Sequence, residues 1–174
     1  IMRINFYALR AIYFHEMDRF RRTLIQSLLS PVLSTSLYFI VFGSVIGDYV
    51  QKIDGISYGS YIVPGLLMLT LLTQSISNTS FGIFFPKFNG TIYEILAAPI
   101  STVEIVIAYV GAGATKTLIV AAVIFCTSLF FAEVNVKFPL LMIFLLILVA
   151  FTFALFGFLI GLLSKNFEQM SIIP

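Results

Sequence analysis

The chain has 174 residues, 60% hydrophobic and only 10% charged, with a mean hydropathy of +1.06. Soluble domains carry about 25% charged residues, and a chain this short hides only roughly 70% of its unfolded surface, so the composition excludes a water-soluble enzyme and leaves lipid as the solvent. A net charge of +2 makes no nucleic-acid-binding stripe, and the single Cys126 excludes an internal disulfide and a multi-cysteine metal site.

The N-terminal segment carries Arg3, Arg10, Arg19, Arg21 and Arg22 and no apolar core region, so no cleavable signal peptide is expected. Phe6, Leu9, Tyr13, Met17, Phe20 and Leu24 recur at helical spacing, while Asp18 and Arg22 stand at i,i+4 among the polar residues. This predicts an amphipathic helix over 1–30 lying in the membrane interface, and the plainer reading is a solvated basic arm. Pro31 is expected to break or kink the chain as it turns into the bilayer.

A membrane helix needs roughly 20 mostly apolar residues. Thr23 to Gly47, Gly55 to Pro86 and Phe138 to Ser164 carry no charge over that length, and Ile105 to Ala132 is interrupted only by Lys116. The predicted spans lie at about 31–47, 58–85, 102–131 and 139–163, with a fifth beginning near 167, inside a transmembrane domain of 31–174. Barrel strands alternate apolar and polar residues, and "LLMIFLLILVAF" does not. The fold class is therefore an all-α integral membrane protein. Placing the N-terminus in the cytoplasm puts the five arginines, Lys87 and Lys165 inside and only Lys52 and Lys137 outside, as the positive-inside rule requires. The loops at Asp54 and Lys137 then face out.

Within the second span Thr70, Thr73, Gln74, Ser77 and Asn78 form a polar seam at helical spacing, either interhelical hydrogen bonding or the lining of a substrate path; packing is the preferred reading. Small residues predict close helix contacts: Gly43 with Gly47, Ala108, Gly111, Ala112 and Thr115, and Ala150, Ala154, Gly157 and Gly161. Lys116 is the one charge inside a span. It is read either as a lysine snorkelling toward the cytoplasm, the preferred account, or as a group in a wet cavity that meets an anionic substrate. Cys126, in an apolar run, is expected to be a packed, inert thiol. The lone His15 has no ligand cluster, so neither a metal site nor catalytic residues are predicted. No phosphate-binding loop occurs; "GAGATKT", Gly111 to Thr117, has the wrong spacing and is read as helix packing.

The segment "PKFNGTIYEILAAPISTVE", Pro86 to Glu104, holds two successive Ser/Thr-x-x-Glu patterns, Thr91 with Glu94 and Ser101 with Glu104. The first predicts a short helix over 91–98, entered through a turn at Gly90 and ended by Pro99, with Ile92, Ile95 and Leu96 on one side. The second starts the third span. A rigid short helix across the mouth of two spans can pass motion between a soluble partner and the membrane; a plain surface connector is the simpler reading.

These residues resemble the type-2 ABC exporter permeases, the membrane subunits of bacterial drug, polysaccharide and lipo-oligosaccharide exporters. Lys87, Gly90, Thr91, Ile92, Glu94, Leu96, Pro99, Ile100 and Ser101 fill the family's loop pattern. "YIVPGLL", Tyr61 to Leu67, looks like the start of its second span, and "FGFLIGLLSKNFEQMSIIP", Phe156 to Pro174, like its passage from the fourth span into the fifth. The family has six spans, and Pro174 stands at the entry to the fifth, so a fragment of a longer chain is expected. The resemblance implies an inner-membrane permease that works as a homodimer on two ABC ATPase subunits, which hold the ATP and Mg²⁺. It further implies that the 91–98 helix is the coupling element. A secondary transporter, which would carry inverted repeats and paired intramembrane charges, and a structural subunit without transport are the alternatives. An ATPase that co-purifies with the chain and is stimulated by it would separate the three. The cargo, whether glycan, lipid-linked glycan or amphipathic drug, is not legible.

Overall fold

The computed structural model describes residues 5–46 and 55–172, and its regular elements are helical throughout. They are α1 (Phe6–Arg22), α2 (Leu24–Tyr38) continuing as a π-helical segment (Phe39–Ile46), α3 (Tyr58–Phe88), α4 (Ile92–Ala97), α5 (Thr102–Phe131), α6 (Pro139–Leu163) and α7 (Phe167–Ile172). Four helical stretches among the described residues are long and apolar enough to cross a membrane: Leu24–Phe42, Tyr58–Phe88, Thr102–Phe131 and Pro139–Leu163. The protein is an all-α, multi-span membrane protein. The first loop, with Asp48, Lys52 and Asp54, and Gly47 of the small-residue pair lie outside the described residues.

The break between α1 and α2 falls at Thr23, not at Pro31. Thr23 leaves helical geometry (φ −106°, ψ 15°), and its backbone N–H donates to the carbonyls of Arg19 and Phe20. Its hydroxyl reaches the same two carbonyls, at 3.2 and 3.4 Å. Both orphan acceptors at the end of α1 are thus satisfied locally. Pro31 sits inside α2 and is buried; it removes one helical hydrogen bond, while the Thr35 hydroxyl donates to its carbonyl at 2.7 Å.

The stripe on α1 is turned toward α5. Tyr13 Oη lies 3.1 Å from Thr115 Oγ1, Glu16 meets Lys116, and Phe20 packs with Val120 and Ile124, joined by Met17 and Leu24. Each pair is separated by about one hundred positions in sequence, so α1 runs parallel to α5 and keeps register with it over several turns. Phe6 departs from the prediction: it is 70% exposed, with Tyr7 and Phe14 also outward.

The tightest packing joins α3 to α6. A Cβ on Gly157 would come within 2.5 Å of the Ile76 carbonyl oxygen, and one on Gly161 within 2.5 Å of the Ser80 carbonyl oxygen. With Ala150 and Ala154 fully buried, this face of α6 meets α3 backbone to backbone. Ser75 adds an interhelical hydrogen bond, its hydroxyl donating to the Ala150 carbonyl at 2.6 Å. On α5 the close approach is at Gly113, where a Cβ would overlap Thr79 Oγ1, and not at Gly111, which has open space around it. Ala108 and Ala112 are buried as expected. Cys126 is exposed on α5, against the expectation of a packed thiol, because Ile124 and Ser128 take the inward positions on that turn.

Candidate functional site

One end of the bundle gathers the end of α3, α4, the starts of α1 and α5 and the end of α6. Lys87, near the end of α3, donates to the carbonyls of Leu162 and Ser164 at 2.6 and 2.8 Å. It therefore closes the last turn of α6, where unpaired carbonyls and the negative end of the helix dipole favour a cation. Phe84 and Phe88 each pack edge to face on Phe167, with centroids 4.9 and 5.0 Å apart.

Gly90 has φ +79°, the left-handed conformation that favours glycine, so the predicted turn stands. The predicted Thr91–Glu94 capping box does not form. Thr91 is already helical (φ −61°, ψ −18°) and makes no side-chain cap, whereas a capping residue needs extended backbone to aim its oxygen at the helix. Backbone carbonyls do the work instead: Gly90 O accepts from Tyr93 N and Thr91 O from Glu94 N. Ile92 and Ile95 pack against the core, so the inner side of α4 is occupied by its own chain, contrary to the expectation of one free apolar side. Its outer side is Tyr93 (73% exposed), Leu96 (62%) and the exposed Glu94.

The second box does form. The Ser101 hydroxyl accepts from Glu104 N at 3.3 Å, and Glu104 Oε2 accepts from Ser101 N at 2.7 Å. Glu104 Oε1 accepts from Asn5 N at 2.5 Å, and the Asn5 side chain donates to the Pro99 carbonyl at 3.5 Å. One carboxylate thereby joins the start of α5 to the start of α1. Asn5 has no signal in sequence beyond its cap position, and its part in this junction is visible only in three dimensions.

Deeper in the bundle Lys116 is 3% exposed and donates to Glu16 Oε2 at 2.7 Å. Arg19 reaches the same oxygen at 2.8 Å. The snorkelling account of Lys116 is overturned: its charge is met inside the protein by an acid from α1. Glu16 lies over Gly82 of α3, where a Cβ would sit 3.3 Å from Oε2, so a side chain there would crowd the pair. Glu16 Oε1 is buried without a hydrogen-bond partner among the described residues. Glu16 was missed in sequence, although an acid between Tyr13 and Phe20 on an otherwise apolar stripe was the signal.

Lys116 and Arg19 also stand on the wall of a cavity of about 580 Å³, into which Thr73, Ser77 and Asn78 of the polar seam face. The other two seam residues, Thr70 and Gln74, are not on that wall. Among the described residues the seam makes no interhelical hydrogen bond: Thr70 and Thr73 bond back to Leu66 and Leu69 carbonyls, and Asn78 bonds Gln74 at 3.4 Å. The interhelical contact on α3 is made by Ser75, on the neighbouring face.

The decisive comparison is with known families: residues 7–174 match the ABC-2 type transporter family. The chain belongs to that family. It is the membrane subunit of an ABC transporter, which removes the secondary transporter and the purely structural subunit left open by the sequence. It is 37% identical over 174 residues to the inner membrane transport permease YadH of Escherichia coli (strain K12), covering 100% of this chain and 68% of that protein. The same identity and coverage hold for the permease of that name from Shigella flexneri. No solved structure gives a significant match.

Proposed function

We propose that this ABC-2 permease is an exporter of the bacterial inner membrane, moving an amphipathic or glycan-type molecule by alternating access between two copies of the chain. A separate ATPase subunit, holding ATP and Mg²⁺, drives it from α4. The observation that carries the reading is the two-sided character of α4: Ile92 and Ile95 anchor it to the bundle while Tyr93, Glu94 and Leu96 stay free for a partner. A partner that pulls on the outer side moves a helix already fixed to the bundle by its inner side. Gly90 shapes the entry to α4. Lys87, Ser101 and Glu104 hold the neighbouring helix ends, so they position the docking element rather than form its contact face; Thr91 and Pro99 bound it.

The name of the Escherichia coli relative supports the inner membrane as the location. The basic residues support an N-terminus and an α4 on the cytoplasmic side, where ATP is. The test is purification of the tagged permease with its ATPase and reconstitution into liposomes. Stimulated ATP hydrolysis that falls in Tyr93→Ala with Leu96→Ala, at unchanged membrane insertion, supports the proposal. Full stimulation by that double variant overturns α4 as the docking element.

A further inference from the structure

The ion cluster between α1 and α5 is not electrically balanced. Arg19 and Lys116 share Glu16, two cations against one carboxylate, a formal sum of +1. The wall of the 580 Å³ cavity includes both cations but not Glu16, so among its described residues it presents positive charge alone. Lys116 is buried, and Glu16 divides one negative charge between it and the partly exposed Arg19, so the cluster keeps a net positive charge for an anion on the cavity side to meet. Ser27, Ser77 and Asn78 add hydroxyl and amide donors to the same wall, while the Thr73 hydroxyl is engaged by the Leu69 and Thr70 carbonyls. Phe20 and Phe81 line it with apolar surface, and the Arg19 guanidinium stands 5.3 Å from the Phe81 ring centroid, which helps aim it. The volume falls in the ordinary range of ligand sites, roughly 300–1,000 Å³.

We infer that this cavity binds the anionic headgroup of an amphipathic molecule, a phosphate or a carboxylate. Arg19 and Lys116 supply the charge, Ser27, Ser77 and Asn78 the hydrogen bonds, and Phe20 and Phe81 the contact for the apolar part. Phospholipid from the bilayer and an anionic amphiphile in transit share this chemistry. The inference deepens the transport reading by naming a headgroup class, but its assay needs no ATPase, so either can fail without the other.

The experiment is native mass spectrometry of the detergent-purified permease titrated with dioctanoyl phosphatidylglycerol, with dioctanoylglycerol as the uncharged control. The anionic lipid should bind about tenfold tighter or more, as a charge-assisted hydrogen bond implies. Arg19→Gln, which leaves Glu16 and Lys116 as a neutral pair and so spares the fold, should abolish that preference. Arg19→Lys should keep it. Glu16→Leu with Lys116→Met, which retains the single charge of Arg19, should keep a preference of the same sign. Displacement of the lipid by inorganic phosphate would indicate a site that takes phosphate from either source; resistance to phosphate would indicate a lipid held by head and tail together. Equal binding of the two lipids, or a preference untouched by Arg19→Gln, would overturn the inference.

Discussion

Replacing Glu16 by Leu strips the shared acceptor from two cations, and Lys116, at 3% exposure, keeps little contact with water. Breaking a buried pair by removing one partner costs about 3–5 kcal/mol, and the two cations left facing each other place Glu16→Leu at the upper end. Lys116→Met is milder, because Glu16 keeps Arg19 at 2.8 Å and the methionine fills much the same volume. The double variant leaves only Arg19, whose side chain is 26% exposed and can be hydrated. It should therefore be more stable than Glu16→Leu alone. The interaction energy of the cycle should reach about 1.5–3 kcal/mol, within the range for residues in direct contact. The chain has no tryptophan, so unfolding is followed by far-ultraviolet circular dichroism during a sodium dodecyl sulfate titration of mixed micelles. Additive single variants, with an interaction energy below about 0.5 kcal/mol, would refute the pairing, as would a Lys116→Met more damaging than Glu16→Leu.

Gly157→Ala should lower stability by about 1–3 kcal/mol in the same titration, because the Ile76 backbone 2.5 Å from the new Cβ cannot give way as a side chain would; Gly111→Ala, with open space, should be neutral or stabilising. Gly90→Val forces a β-branched residue into φ +79° at a cost of about 1–2 kcal/mol, and it should reduce ATPase stimulation several-fold by misplacing α4, whereas Thr91→Ala, with no cap bond to lose, should leave stimulation near normal. In a Cys126→Ser background, a cysteine at Asn89 should resist membrane-impermeant maleimide added from outside the cell and one at Asn135 should react; external labelling at Asn89 would reverse the topology.

The spans were legible because charge-free runs of this length have no other solvent, and the Ser101 box because its two bonds lie within one turn of chain. The α6 small-residue face was legible for a similar reason: its period matches the helix, and only close packing in lipid uses it. Thr91 misled because the capping pattern is a statement about residue types. The bond also needs extended backbone, and the positive φ of Gly90 delivers Thr91 into helical geometry instead. Pro31 misled in the same way: proline marks a lost donor, but the chain turns where carbonyls can be recapped, and Thr23 recaps two of them.

Lys116 is the sharper case, since nothing local to it predicts its partner. A charge in a span can be relieved by reaching water or by meeting an opposite charge, and α5 offers no acid within a turn or two of Lys116. The acid comes from α1, about one hundred residues earlier, and arrives only because α1 packs parallel to α5 with Asn5 tied to Glu104 at one end and Phe20 seated on Val120 and Ile124 at the other. Between those fixed points the helical repeat carries Glu16 to the level of Lys116. The apolar residues of the stripe and the acid within it thus form one pattern: the former position α1, and the latter needs a cation wherever that positioning leaves it. An acid on the buried face of a helix that precedes the first span predicts a basic residue inside a later one, and here the two unmatched charges, each unexplained alone, account for each other.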